Sequence, residues 1–194
     1  MLVSDLTINT RKAVIGLAIT GAFFAALVPL GFWWATLWID SALKLPPIPF
    51  GIPTSLILAS AFIVIGVFWI TWAYSYLVFV GQGLPLEAFG RALQPTKVLV
   101  TTGPYAYTRN PMVLGALFVL LGVAFLRRST AGIVLVPILA GLAAAYLKTF
   151  EEKGLAQRFS DEYERYRRVV PMLFPRVTRH TDEPSADAAT RGVN

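Results

Sequence analysis

GPYAYTRNPMVLG, residues 103–115, is the stretch from which the fold of this chain can be read. It opens as a turn marked by glycine and proline and ends inside an apolar run, Pro111 to Leu126. A second apolar run, Thr130 to Phe150, stops at the carboxylate pair Glu151-Glu152. Only Arg127-Arg128-Ser129 separates the runs, room for no more than a tight turn. Two helices so joined form a hairpin whose free ends lie side by side. The hairpin therefore predicts that Tyr105, Arg109 and Asn110 meet Glu151 and Glu152. Pro111 suits the first turn of its helix, where a missing N–H is not needed.

Composition places the hairpin in a membrane. The chain has 194 residues, 56% of them hydrophobic and only 14% charged, whereas soluble domains are about 25% charged. Several apolar runs approach or exceed the roughly 18–20 residues that read as a membrane span. There is no cysteine, and the one histidine, His180, stands in a polar segment; disulfide, thiolate and zinc or haem chemistry are not expected. The net charge is +6. Residues 1–150 hold nine Lys/Arg against three Asp/Glu, while residues 151–194 hold eight of each. Basic residues flanking apolar runs point to lipid headgroups and topology rather than to nucleic acid.

Outward from the hairpin, Thr54 to Val80 is expected as a second span. Ala13 to Ile39 is expected as a first, too long for a signal-peptide core. Pro29 is expected to kink that first span; a full break there would raise the count from four to five. Pro46, Pro47, Pro49 and Pro53 make Asp40–Pro53 a loop. Within 81–110, Lys97-Val98-Leu99-Val100 is apolar enough to pack against the protein. Pro137 is expected to kink the fourth span. Leu155, Phe159, Tyr163, Tyr166 and Val170 then recur at helical spacing with charges between them, so an amphipathic helix follows, ended by Pro171. Residues 177–194 are polar and aperiodic and are expected to be flexible. The fold class is all-α: a polytopic integral membrane protein of four to five transmembrane helices with a C-terminal amphipathic helix. With four spans the basic N-terminus, the 81–110 segment and the tail share one side, which the positive-inside rule makes cytoplasmic. Arg127-Arg128 falls on the opposite side, against that rule.

At the expected meeting point stand an aromatic ring, a guanidinium, an amide and two carboxylates, with no histidine, thiol or base-paired hydroxyl. Nucleophilic and metal-assisted hydrolysis are poorly served by this set. Aromatic faces and carboxylates suit a bound sulfonium or ammonium. Singly, each residue has a plainer reading: the glutamates as helix-start acids, Arg109 as a snorkelling anchor, Tyr105 and Tyr107 as interfacial aromatics, Tyr163 and Tyr166 as core.

The order of these elements resembles that of the isoprenylcysteine carboxyl methyltransferase family and its relatives among membrane phospholipid methyltransferases. The matching residues are Gly103-Pro104-Tyr105, Arg109-Asn110-Pro111 through Gly115, Glu151-Glu152-Lys153-Gly154-Leu155, Phe159 with Tyr163 and Tyr166, and Val170-Pro171. The likeness covers about residues 97–175. Three positions depart from the family pattern: Asn110 replaces a histidine, Val113 a tyrosine and Ser160 a glycine. The substrate-facing arginine of eukaryotic members falls at Leu147, beside Lys148.

The resemblance implies S-adenosylmethionine as methyl donor, bound by Lys97, Val98, Leu99, Val100, Tyr105, Asn110, Pro111, Glu151 and Glu152. It implies Tyr105, Arg109 and Glu151 as catalytic residues, and no metal. The acceptor it implies is the carboxylate of a C-terminal prenylcysteine or a similar lipid-linked group arriving from the bilayer, at a cytosolic face of a prokaryotic cytoplasmic membrane. A phospholipid amine is the second possible acceptor, and a non-enzymatic membrane scaffold the remote alternative. On this reading the chain divides into N-terminal spans (1–80), a catalytic region with the cofactor pocket (81–176) and a tail (177–194).

Overall fold

A computed structural model of the chain describes residues 26–81, 87–88, 91–92 and 96–175. Five helices account for most of them: α1 (Val28–Ala42), α2 (Ile52–Phe79), α3 (Pro111–Leu126), α4 (Thr130–Tyr146) and α5 (Glu152–Val169). A 3₁₀ turn, Gly103–Ala106, precedes α3, and a π turn, Leu147–Glu151, joins α4 to α5. Glu87–Ala88 (β1) and Arg91–Ala92 (β2) form a two-residue antiparallel pair, with Glu87 opposite Ala92. The described structure is otherwise helical or irregular. Much of the expected first span and the whole 177–194 tail lie outside the described residues, and the expected effect of Pro29 falls at their edge.

The hairpin forms as its sequence predicts, with α3 at the expected bounds. Arg127 and Arg128 make the turn, and Arg128 takes φ 52°. The expected amphipathic helix is α5, which follows α4 directly through the π turn at Leu147–Glu151. The helix from Thr130 to Val169 passes through Pro137 inside α4 and kinks at Ser160, whose backbone is not helical. Among the described residues, this helix and α2 are long and apolar enough to cross a membrane. Only 17% of the most apolar stretch of each is buried, so their apolar side chains face outward, as lipid requires. α3 is apolar throughout and shorter, at 16 residues.

Small residues set the packing of α2 on α3. Ser55, Ala59, Gly66 and Ala73 are the buried positions of α2, the last three seven residues apart. Across from them lie Gly115 and Gly122, also seven apart. A Cβ on Gly66 would come within 2.6 Å of the Gly115 carbonyl oxygen, and one on Gly115 within 2.7 Å of the Gly66 oxygen. Helices approach this closely in lipid only where side chains are absent or minimal. This contact fixes where α3 begins, and so where Asn110 and Pro111 stand. α1 packs lower down, where Phe32 joins Leu120, Val123, Ala124 and Val136 in a core cluster near the turn.

Candidate functional site

The site grows from the turn ahead of α3. Gly103 has φ 61°, and a side chain there would strike the Tyr76 ring; the position needs glycine both for its backbone and for its space. The 3₁₀ turn that follows is buried throughout. Tyr166 of α5 donates its hydroxyl to the Tyr105 carbonyl at 2.7 Å, which ties the amphipathic helix to the turn.

Next, Thr108-Arg109-Asn110 is gripped by the chain beyond α5. The Arg109 N–H donates to the Pro171 carbonyl at 2.9 Å. The Thr108 hydroxyl reaches the Met172 and Leu173 carbonyls at 3.1 Å each. Asn110 donates through Nδ2 to Met172 O at 3.0 Å, and its backbone N–H to the Thr108 hydroxyl at 3.3 Å. Thr108 is fully buried. The sequence reading missed Thr108, Met172 and Leu173 as supports. Their signal was a buried-type hydroxyl flanking the Arg-Asn-Pro motif and a Val-Pro stop after an amphipathic helix.

From the other side, the π turn aims the glutamates. Its i→i+5 bonding adds one residue to a helical turn, so Glu152 stacks beneath Leu147, and both are buried. Glu152 pairs with Arg109, whose Nη1 also donates to the Tyr163 hydroxyl at 3.2 Å. Both side chains of the pair are about nine-tenths buried. A longer contact, 3.9 Å, joins Glu152 to Arg167, which pairs with Glu164.

These elements enclose a cavity of about 290 Å³. One wall is polar: Tyr105, Arg109, Asn110, Glu151, Glu152, Tyr163 and Tyr166. Met112 and Val113 of α3, with Ala143, Tyr146 and Leu147 at the end of α4, form a more apolar wall. Leu99, Val100 and Pro111 also line it, as the sequence reading expects. Lys97 and Val98 do not: they are exposed beside it, and the Lys97 N–H bonds the Gly81 carbonyl. Tyr163 and Tyr166, read from sequence as core, are both core and cavity wall.

Burial keeps the phenols protonated. It pushes Tyr163 up to about 12, with Glu152 adding to the rise and Arg109 opposing it. Tyr105 is raised well above the ordinary phenol value by burial, then by Tyr166 and Glu151. Tyr166 is raised by burial, against the pull of Arg109. The wall therefore presents neutral aromatic hydroxyls and carboxylates, a lining suited to a cation.

Two outward-facing apolar helices and a ligand-sized cavity at the open end of the α3–α4 hairpin are the marks of a membrane protein with a small-molecule site. The chain belongs to the phospholipid methyltransferase family, whose model matches residues 54–162; that family lies within the isoprenylcysteine carboxyl methyltransferase-like superfamily. The cobalt-zinc-cadmium resistance protein CzcN of Cupriavidus metallidurans is 30% identical over 121 residues, which cover 58% of this chain and 56% of that protein. The chain thus spans about half the length of this curated relative. No solved structure matches it.

Proposed function

We infer that this protein transfers a methyl group from S-adenosylmethionine to a lipid-borne acceptor, first of all the carboxylate of a prenylated cysteine. One observation carries the reading: a single cavity has an acid- and phenol-rich wall and an apolar wall at the end of a membrane hairpin. The residues present fit the donor. Tyr105, Asn110, Pro111, Glu151, Leu99 and Val100 would hold it, with Glu152 behind them and Lys97 and Val98 outside the lining. When bound, the donor supplies a methyl group on a positively charged sulfur. Glu151 and the aromatic faces favour that charge. Tyr105 and Arg109, fixed by Tyr166 and Glu152, hold the geometry in which acceptor and methyl align.

The state of the ionisable groups ranks the acceptors. The buried phenols are held protonated, and Glu152 is engaged by Arg109. A carboxylate acceptor has a pKa of about 3.5 and needs no base. A phospholipid amine, the second acceptor, must lose a proton, and Glu151 is then the candidate base.

In this reading α1 to α4 each cross the bilayer. α3 covers about 24 Å at 1.5 Å per residue, so the membrane thins around it or the turn before it lies at headgroup depth. The site faces the cytosol by the positive-inside rule.

The test is made in detergent. S-adenosylhomocysteine should raise the melting temperature, and labelled methyl should pass to a prenylcysteine analogue in preference to phosphatidylethanolamine. Transfer to the amine alone replaces the first acceptor with the second. The absence of both thermal shift and transfer removes the methyltransferase reading.

A further inference from the structure

Four charged residues line the cavity: Arg109, Glu151, Glu152 and Arg158. Arg109 is already committed, paired with Glu152 and hydrogen-bonded to Tyr163 in a buried position. Arg158 is held without being neutralised. Its Nη2 donates to the Thr96 carbonyl at 2.5 Å and lies 3.5 Å from the Thr96 hydroxyl. Its guanidinium sits 5.0 Å from the centroid of the Phe159 ring. Among the described residues no ion pair joins it to a carboxylate. A guanidinium has five N–H donors, and these bonds come from Nη2 alone. Among the described residues Nη1 and Nε remain for a planar anion, on a side chain already fixed by stacking and by a neutral acceptor.

We propose that Arg158 is the anion clamp of this site and binds a carboxylate of the ligand that fills the cavity. The assignment rests on the methyltransferase reading above. A carboxylate could come from the amino-acid part of the donor or from the acceptor. The layout favours the donor. Arg158 is exposed to water on α5, whereas the apolar wall, to which a lipid-borne acceptor would come, belongs to α3 and α4. The rival role is mechanical: Arg158 merely straps α5 to the segment at Thr96.

Two ligands separate these roles. S-Adenosylhomocysteine carries the carboxylate; 5′-methylthioadenosine has the same nucleoside and thioether without it. Binding of both is measured by calorimetry in detergent for wild type, Arg158→Gln and Arg158→Lys. A clamp on the donor predicts that Arg158→Gln weakens S-adenosylhomocysteine by about 10- to 100-fold, leaves 5′-methylthioadenosine unchanged, and is partly rescued by Arg158→Lys. If S-adenosylhomocysteine is unaffected while a prenylcysteine analogue weakens and its methyl ester does not, the clamped carboxylate is the acceptor's. Equal weakening of all ligands assigns the strap and overturns the proposal, as does no change in any. Failure of wild type to bind S-adenosylhomocysteine at all is a different result: it removes the methyltransferase reading and the clamp with it.

Discussion

The two ends of the α3–α4 hairpin use the same chemistry to opposite effect. At the turn, Arg127 lies 4.9 Å over the Trp33 ring, and Arg128 donates to the Ile48 carbonyl at 3.3 Å. Asp40, from α1, accepts the Ser129 hydroxyl at 2.5 Å and the Ala131 N–H at 2.9 Å. Ser129 in turn accepts from the Gly132 N–H at 2.8 Å, capping α4. The arginines there meet a ring and a backbone carbonyl, and Asp40 meets the Ser129 hydroxyl and a backbone N–H. At the other end Arg109 meets an acid, Glu152 of α5, and both line a cavity. The difference lies in what the charges face: neutral groups and a ring at the turn, an opposite charge beside a cavity at the site. Arginines and an acid therefore do not mark a site by themselves; the space they leave does.

The largest expected effect breaks the buried pair. Arg109→Leu strands Glu152 in a site that is about nine-tenths buried, and removing one partner of such a pair costs about 3–5 kcal/mol. Arg128→Leu, at the turn, loses one partly exposed hydrogen bond, about 1 kcal/mol. Denaturant unfolding in detergent should show this contrast. The double variant Arg109→Leu/Glu152→Leu should regain much of the loss, because no charge is left stranded. Equal losses at the two ends would erase the distinction drawn above.

A smaller effect tests whether the ends are independent. Asp40→Ala removes the acceptor for Ser129 and for the Ala131 N–H, at a cost of about 1–3 kcal/mol. Asp40 belongs to the turn end, so affinity for S-adenosylhomocysteine should stay within about twofold, as for separate sites. A tenfold or greater loss of affinity would mean that the turn and the cavity form one coupled unit.

Much of this architecture was legible because polar breaks in apolar sequence carry positional information. Pro111 and Arg127 bound α3 in the sequence as they do in the structure, and the meeting of Tyr105, Arg109 and Asn110 with Glu151 and Glu152 follows from two helices of similar length. Three features were not legible. Arg127-Arg128 looked like a violation of charge topology; in the structure the pair serves the turn through Trp33 and Ile48, which no local pattern shows. The π turn was hidden because Leu147–Glu151 has ordinary helix-forming residues, and only packing shows the extra residue that brings Glu152 under Leu147. Tyr163 and Tyr166 were assigned to the core because periodicity tells which face is buried, not whether a cavity adjoins it.

The smallest effect concerns the join between those tyrosines and the rest of α5. Ser160 has φ 44° and ψ −119° inside the helix, a kink between Leu155 and Tyr163. Side-chain-bearing residues avoid this backbone region, and holding one there costs about 1–3 kcal/mol. Glycine adopts it freely but adds unfolded-chain entropy, which takes back about 0.5–1 kcal/mol. Ser160→Gly should therefore stabilise the protein by about 1 kcal/mol, or a few degrees in melting temperature for a chain of this size. Ser160→Ala keeps the strained geometry and should give no gain. Ser160 is exposed, so no buried contact confuses the comparison. Because the kink sets the angle at which Tyr163 reaches Arg109 and Tyr166 reaches the Tyr105 carbonyl, the glycine variant should keep or tighten binding of S-adenosylhomocysteine. A Ser160→Gly protein that melts no higher than wild type would show that the kink is not strained, and that α5 takes its bend from packing on the site end of the hairpin rather than against its own backbone preference.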